Sequence, residues 1–171
     1  IESNHKLRSP QVEAYLKIQN YFAPSPNGEA LVVLPTGTGK SGLISIAPYG
    51  ICSGRVLIIT PGLVTKQSIQ KTQEVLDDNF WVNLDVIFNP IHLPIVSEYS
   101  NDLSDEHLFE SNIVYSNIQK LSSGRRTGLL NRPIVDSEFF DMIIVDEAHH
   151  APAGTWQEDL SYFPPAKKLH V

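Results

Sequence analysis

The sequence has one cysteine, Cys52, so no disulfide can form within the chain and a stapled secreted scaffold is excluded. A reducing, cytoplasmic setting is the expectation. Long apolar runs are missing as well. Runs such as Leu31–Leu34 and Val56–Ile59 hold four residues, against the roughly 18 that a membrane span requires. Charged residues make up only 19%, below the usual level of about 25%, which argues against a disordered polyelectrolyte or a coiled coil. There is no internal repeat and no low-complexity tract. Positive charge is scarce: 13 Lys and Arg stand against 19 Asp and Glu, a net −6. A stand-alone nucleic-acid binder is usually basic, because phosphate contacts supply much of its affinity. The deficit is local, however. Residues 1–76 carry 7 basic and 4 acidic side chains, and residues 77–171 carry 6 and 15. The densest acidic stretch, Glu98–Glu110, has five carboxylates and no Lys or Arg. It reads as a solvated loop, with a divalent-ion or partner site as the alternative.

What remains is 171 residues and 19.1 kDa, enough for one domain with its own core. Ser9 and Pro10 read as the N-cap and first residue of a helix reaching about Phe22. Pro24, Pro26 and Asn27-Gly28 then break it. Short strands are expected at Leu31–Leu34, Val56–Ile59, Leu84–Phe88, Ile113–Tyr115 and Met142–Val145, with another beginning near Leu169. Helical patterns fall from about Lys40 and over roughly 64–76. Buried strands alternating with helices imply parallel crossovers, hence an α/β fold with a mostly parallel sheet covered on both faces. The chain opens at Ile1 without an initiator Met or signal-like segment and stops as a strand begins. Both ends therefore read as internal positions of a longer polypeptide.

Parallel α/β sheets bind ligands beyond the carboxyl ends of their strands. The first such end carries Pro35-Thr36-Gly37-Thr38-Gly39-Lys40-Ser41. Gly37 and Gly39 permit a turn whose backbone N–H groups converge on an anion, and the following helix start adds partial positive charge. Lys40 supplies a full charge for the β- and γ-phosphates, and the Ser41 hydroxyl is a hard ligand for Mg²⁺. The full pattern G-x-x-x-x-G-K-[ST] would place Gly at position 34, where this chain has Leu34. The second end is Met142–Val145 followed by Asp146-Glu147-Ala148-His149-His150. Its adjacent carboxylates suit two jobs: Asp146 holds a Mg²⁺-bound water, and Glu147 orients and deprotonates the attacking water. Zinc is the weaker reading of His149 and His150, since adjacent histidines on a helix face apart and no H-E-x-x-H spacing exists.

A phosphate loop after one strand and an acidic pair after a later one describe a P-loop NTPase that uses ATP and Mg²⁺. The set resembles the first RecA-like domain of a superfamily 2 helicase, with Asp146-Glu147-Ala148-His149 as its DEAH box. The run Val145–Pro152 with Thr155-Trp156 is especially similar to the helicase family of the type I and type III restriction enzymes. That resemblance implies catalytic roles for Lys40, Glu147 and His149. Leu7-Arg8-Ser9-Pro10-Gln11 matches the family's upstream glutamine motif, which places Arg8 and Gln11 at the nucleotide, with the Gln11 amide reading the adenine edge. Thr60, Pro61, Gly62, Lys66 and Gln67 sit where the family contacts the nucleic-acid backbone, as do Ser116 and Asn117 in its next motif. Small polar residues and free N–H groups at strand ends suit such sequence-independent contact. Arg125-Arg126 either extends that surface or is a solvated pair.

The likeness spans Leu7 to Val171 and implies an ATP-driven motor domain, with DNA favoured over RNA as its track. It also implies a second RecA-like domain, which supplies an arginine finger and completes the nucleic-acid channel. That domain is not within these residues, so residues 1–171 alone are expected to turn over slowly if at all. The alternatives are an RNA helicase domain, a non-helicase P-loop ATPase and a catalytically silent binding module. The last would be signalled by loss of Lys40 or Glu147, and both are present.

Overall fold

A computed structural model describes residues 1–61, 80–121, 128–147 and 156–171. Six strands among them form one all-parallel sheet: β1 (Glu29–Leu31), β2 (Val56–Thr60), β3 (Val96–Glu98), β4 (Ile113–Asn117), β5 (Met142–Val145) and β6 (Lys167–His170). Their order across the sheet is β1-β6-β5-β2-β4-β3. The described helices are α1 (Ser9–Phe22), α2 (Lys40–Ile46), α3 (Phe80–Asn83), α4 (Asp105–Glu110), α5 (Ile118–Leu121) and α6 (Trp156–Ser161). The sheet has a core on each face. Val56, Ile58, Met142 and Ile144 join α1 and α2 on one side, while Leu57, Ile59, Ile143 and Val145 pack with Leu108, Phe140, Leu160 and Phe163 on the other. Burial on both faces is why β2 and β5 read as continuous apolar runs rather than alternating ones.

Helix α1 forms because Gln11, Ala14, Tyr15, Ile18 and Phe22 recur at intervals of three and four and give it one buried face. Its cap is Arg8 rather than Ser9, so Pro10 falls in the first turn, where its missing N–H is not needed.

Two expected strands are corrected. The first lies at Glu29–Leu31, not Leu31–Leu34, although the Val32 N–H still donates to the His170 carbonyl at 2.8 Å. Among the described residues it is an edge strand paired only to β6, and Leu31 and Val33 are 70% and 82% exposed, so this apolar run is not a buried centre. The second, Leu84–Phe88, is no strand. Trp81 is fully buried and its Nε1–H donates to the Ser45 carbonyl at 2.8 Å, pinning α3 against α2. The Val86 and Ile87 N–H groups turn back to the Trp81 carbonyl, with Asp85 at φ 53°. Leu84 and Val86 thereby pack on the helical side, and the neighbour of β4 is β3, from the Pro-rich segment. Glu98–Glu110 is likewise more ordered than a loop. Glu98 ends β3, and Ser104 caps α4 by accepting from the His107 N–H at 3.2 Å. The helix read over 64–76 lies outside the described residues.

Asp141 ties the far ends of three strands together. Its Oδ2 accepts from the Ser53 and Gly54 N–H groups at 2.9 and 3.2 Å, and its Oδ1 accepts from Lys167 Nζ at 3.1 Å. Burial alone would raise this carboxyl, but those donors outweigh it and hold it below its ordinary value. Asp141→Ala should therefore cost about 1–3 kcal/mol, the usual penalty for orphaning such donors. A depressed folded-state value makes the contribution present above the unfolded value of about 3.9 and lost as pH falls further. Urea unfolding of both proteins should show a gap at neutral pH that narrows below about pH 3.5.

Candidate nucleotide-binding site

The site lies at the carboxyl edge of the sheet, between the turn after β1 and the tip of β5. Pro35–Gly39 make a tight turn into α2. The Thr38 N–H and Oγ1 both donate to the Pro35 carbonyl, at 3.2 and 2.6 Å. Gly37 and Gly39 have φ of 83° and 99°, a left-handed backbone that side-chain-bearing residues resist. Lys40 and Ser41 open α2 directly after it, both half-buried, with Pro35 and Thr36 exposed at the rim. Arg8 and Gln11, from the start of α1, reach the same turn. Arg8 Nη1 donates to the Gly37 carbonyl at 2.8 Å, and Gln11 Nε2 to the Gly39 carbonyl at 3.0 Å.

Opposite the turn stand the two carboxylates. The Asp146 N–H donates to the Ile59 carbonyl at 2.9 Å, and the Glu147 N–H to the Val171 carbonyl at 3.0 Å. Glu147 sits at φ 54°, uncommon for a non-glycine residue and costing of order 1–3 kcal/mol where it is held. In that conformation its Oε1 accepts from Lys40 Nζ at 3.0 Å, across 107 positions of sequence. Asp146 is only 4% exposed. Burial and the adjacent Glu147 charge push its carboxyl up to about 6, against the pull of Lys40. Its Oδ2 is buried without a hydrogen-bond partner. A lone buried carboxylate oxygen fits a hard cation that keeps most of its waters, as Mg²⁺ does. Among the described residues no group of three or more His, Cys, Asp or Glu could hold a metal by itself, Glu98–Glu110 included.

The residues expected at a nucleic-acid rim are partly among the described ones. Thr60 and Asn117 are register partners at the ends of β2 and β4, with Ile59 and Ser116 one step back. Thr60 and Ser116 are buried, Pro61 is exposed and Asn117 half-buried. Asn117 Oδ1 caps α5 by accepting from the Lys120 N–H at 3.0 Å. Gly62, Lys66, Gln67, Arg125, Arg126 and His149 lie outside the described residues. The residues that position the acidic pair, Ile59 and Val171, act through backbone carbonyls, so no side-chain signal could have marked them.

Among the described residues no helix is long and apolar enough to cross a membrane. No curated protein matches the chain. The crystal structure of the UvsW helicase from bacteriophage T4 is similar over 91% of this chain, with a TM-score of 0.55 and 17% identity. At that identity the likeness carries the fold, and the chain spans about half the length of that protein. Residues 4–171 match the family described as type III restriction enzyme, res subunit. With a glycine-rich turn after β1, an acidic pair after β5 and an all-parallel sheet between them, the chain is a first RecA-like domain of the superfamily 2 helicase type and belongs to that restriction-enzyme family.

Proposed function

We propose that the chain is the ATP-binding motor domain of a DNA-dependent ATPase, and that it hydrolyses ATP when a second RecA-like domain closes on it. The observation that carries this reading is the meeting of Lys40 and Glu147 at 3.0 Å, beside the buried Asp146. A cation for the phosphates and a base for water are thereby poised in one cleft. Lys40 leaves Glu147 for the β- and γ-phosphates when nucleotide enters, and the Glu147 carboxylate, no longer paired with Lys40, accepts a proton. The attacking water gives that proton to Glu147 while its oxygen bonds to the γ-phosphorus. The bond from that phosphorus to the β–γ bridging oxygen breaks, and ADP retains the electron pair. Ser41 and Asp146 would hold Mg²⁺, which supplies charge neutralisation at the phosphates. His149 completes the proposed catalytic set as the last residue of the DEAH box, and the Gln11 amide, with Arg8, faces the base.

Pro61, Gly62, Lys66, Gln67, Asn117 and the backbone near Thr60 and Ser116 form the proposed track for a phosphate backbone. Those contacts are few and the chain is acidic, so residues 1–171 alone should hold DNA weakly and without sequence preference. Each phosphate contact contributes a log–log salt slope of roughly −0.9 on duplex or −0.7 on single strands. Titrations with Mg-ATP and with fluorescent DNA and RNA, at low and physiological salt, test the reading alongside phosphate release. Nucleotide should bind, DNA should be lost at physiological salt, and turnover should stay near background, because an arginine finger is worth about 10³–10⁵ in rate. Tight DNA binding at physiological salt, or brisk nucleic-acid-stimulated turnover by these residues alone, would overturn it. Stronger stimulation of the completed motor by RNA than by DNA would reassign the track.

A further inference from the structure

Arg8 and Gln11 do something in this structure that base recognition does not require. A loop that cradles an anion must turn its N–H groups inward, so its carbonyls have to face away and find donors elsewhere. Two of those carbonyls, Gly37 and Gly39, are held from outside by one helix start, through Arg8 Nη1 at 2.8 Å and Gln11 Nε2 at 3.0 Å. The two holders are themselves coupled, because Gln11 Oε1 accepts from the Arg8 N–H at 3.0 Å. Gln11 is 4% exposed, locked between α1 and the loop. A Cβ on Gly39 or on Gly42 would overlap its amide, so both glycines leave the space that Gln11 fills.

We infer that Arg8 and Gln11 are positioning residues for the phosphate loop, and that they strengthen binding of the polyphosphate itself, independently of any base. The inference rests on the reading of this loop as a nucleotide site and adds a second role to residues placed at the nucleotide. The two roles are chemically compatible. A carboxamide has two donor hydrogens and two acceptor lone pairs, and Gln11 uses one of each within the chain. The second hydrogen and second lone pair take no part in those two bonds and are what an adenine edge would address, so base binding and loop geometry would be joined through one side chain.

Inorganic tripolyphosphate with Mg²⁺ is the probe, since it has neither base nor ribose. Its affinity and that of ATP are measured by calorimetry for the wild type, Gln11→Met, Arg8→Lys and Lys40→Ala. Gln11→Met keeps length and neutrality but removes the donor to Gly39 and with it the acceptor for the Arg8 N–H. Arg8→Lys keeps the charge but loses the planar fork aimed at Gly37. Each should weaken tripolyphosphate binding roughly three- to tenfold, the scale of one lost hydrogen bond, with ATP weakened at least as much. Unfolding midpoints without ligand check that each variant is folded, and Arg8, at the surface, keeps the test open if Gln11→Met is not. Tripolyphosphate affinity unchanged in the folded variants while ATP affinity falls would overturn the positioning role and leave base reading alone. Wild type that binds neither ligand, or Lys40→Ala that binds tripolyphosphate like wild type, would overturn the nucleotide-site reading itself.

Discussion

Lys40→Ala is expected to raise the dissociation constant for Mg-ATP by roughly 30- to 150-fold. Lys40 is the one full positive charge on the turn Pro35–Ser41, and a hydrogen bond from a charged donor contributes about 1.5–3 kcal/mol. The structure adds a second penalty. Lys40 Nζ is paired with Glu147 at 3.0 Å, so the alanine variant takes that positive charge away from a carboxylate that faces the incoming phosphates. Each 1.4 kcal/mol corresponds to a tenfold change, which places the combined loss toward the upper end of that range. Calorimetry at matched Mg²⁺ measures it directly. Equal affinity in the two proteins would place the phosphates elsewhere.

Glu147→Gln should separate binding from chemistry. The amide oxygen can still accept from Lys40 Nζ, so the cleft keeps its shape and nucleotide should bind with near-wild-type affinity. An amide cannot take a proton from water, and a positioned general base contributes typically 10²–10⁴ in rate. In the motor completed by its second domain, single-turnover hydrolysis should therefore fall by about that factor while ATP stays bound. A rate within a few-fold of wild type would put the base on another residue. The pairing also implies an order of events, since Glu147 is not free to act while it holds Lys40. The carboxylate released by Lys40 should thus belong to the nucleotide-bound state.

Much of this was legible in the residues. Helix α1 follows from apolar positions spaced three and four apart, and β2 and β5 from runs long enough to be buried on both sheet faces. The placement of the glycine-rich turn and the acidic pair was readable because the chemistry proposed for them demands particular residue types at fixed spacing: glycines at left-handed turns, then Lys40 and Ser41 on a helix start, and carboxylates at a strand tip.

Tertiary structure decided what local pattern leaves open. Leu31–Leu34 and Leu84–Phe88 look as apolar as β2. Yet one is shifted onto an exposed sheet edge, and the other is drawn into a turn by Trp81 burying against α2. Sheet position is a contest among all strands for neighbours, so composition alone cannot assign an edge. The pairing of Lys40 with Glu147, the grip of Arg8 and Gln11 on the Gly37 and Gly39 carbonyls, and the turning of Asp146 and Glu147 by the Ile59 and Val171 carbonyls are all long-range contacts. Backbone carbonyls are the same at every residue, so which of them face the site is set only when β1, β6, β5 and β2 come together in parallel register.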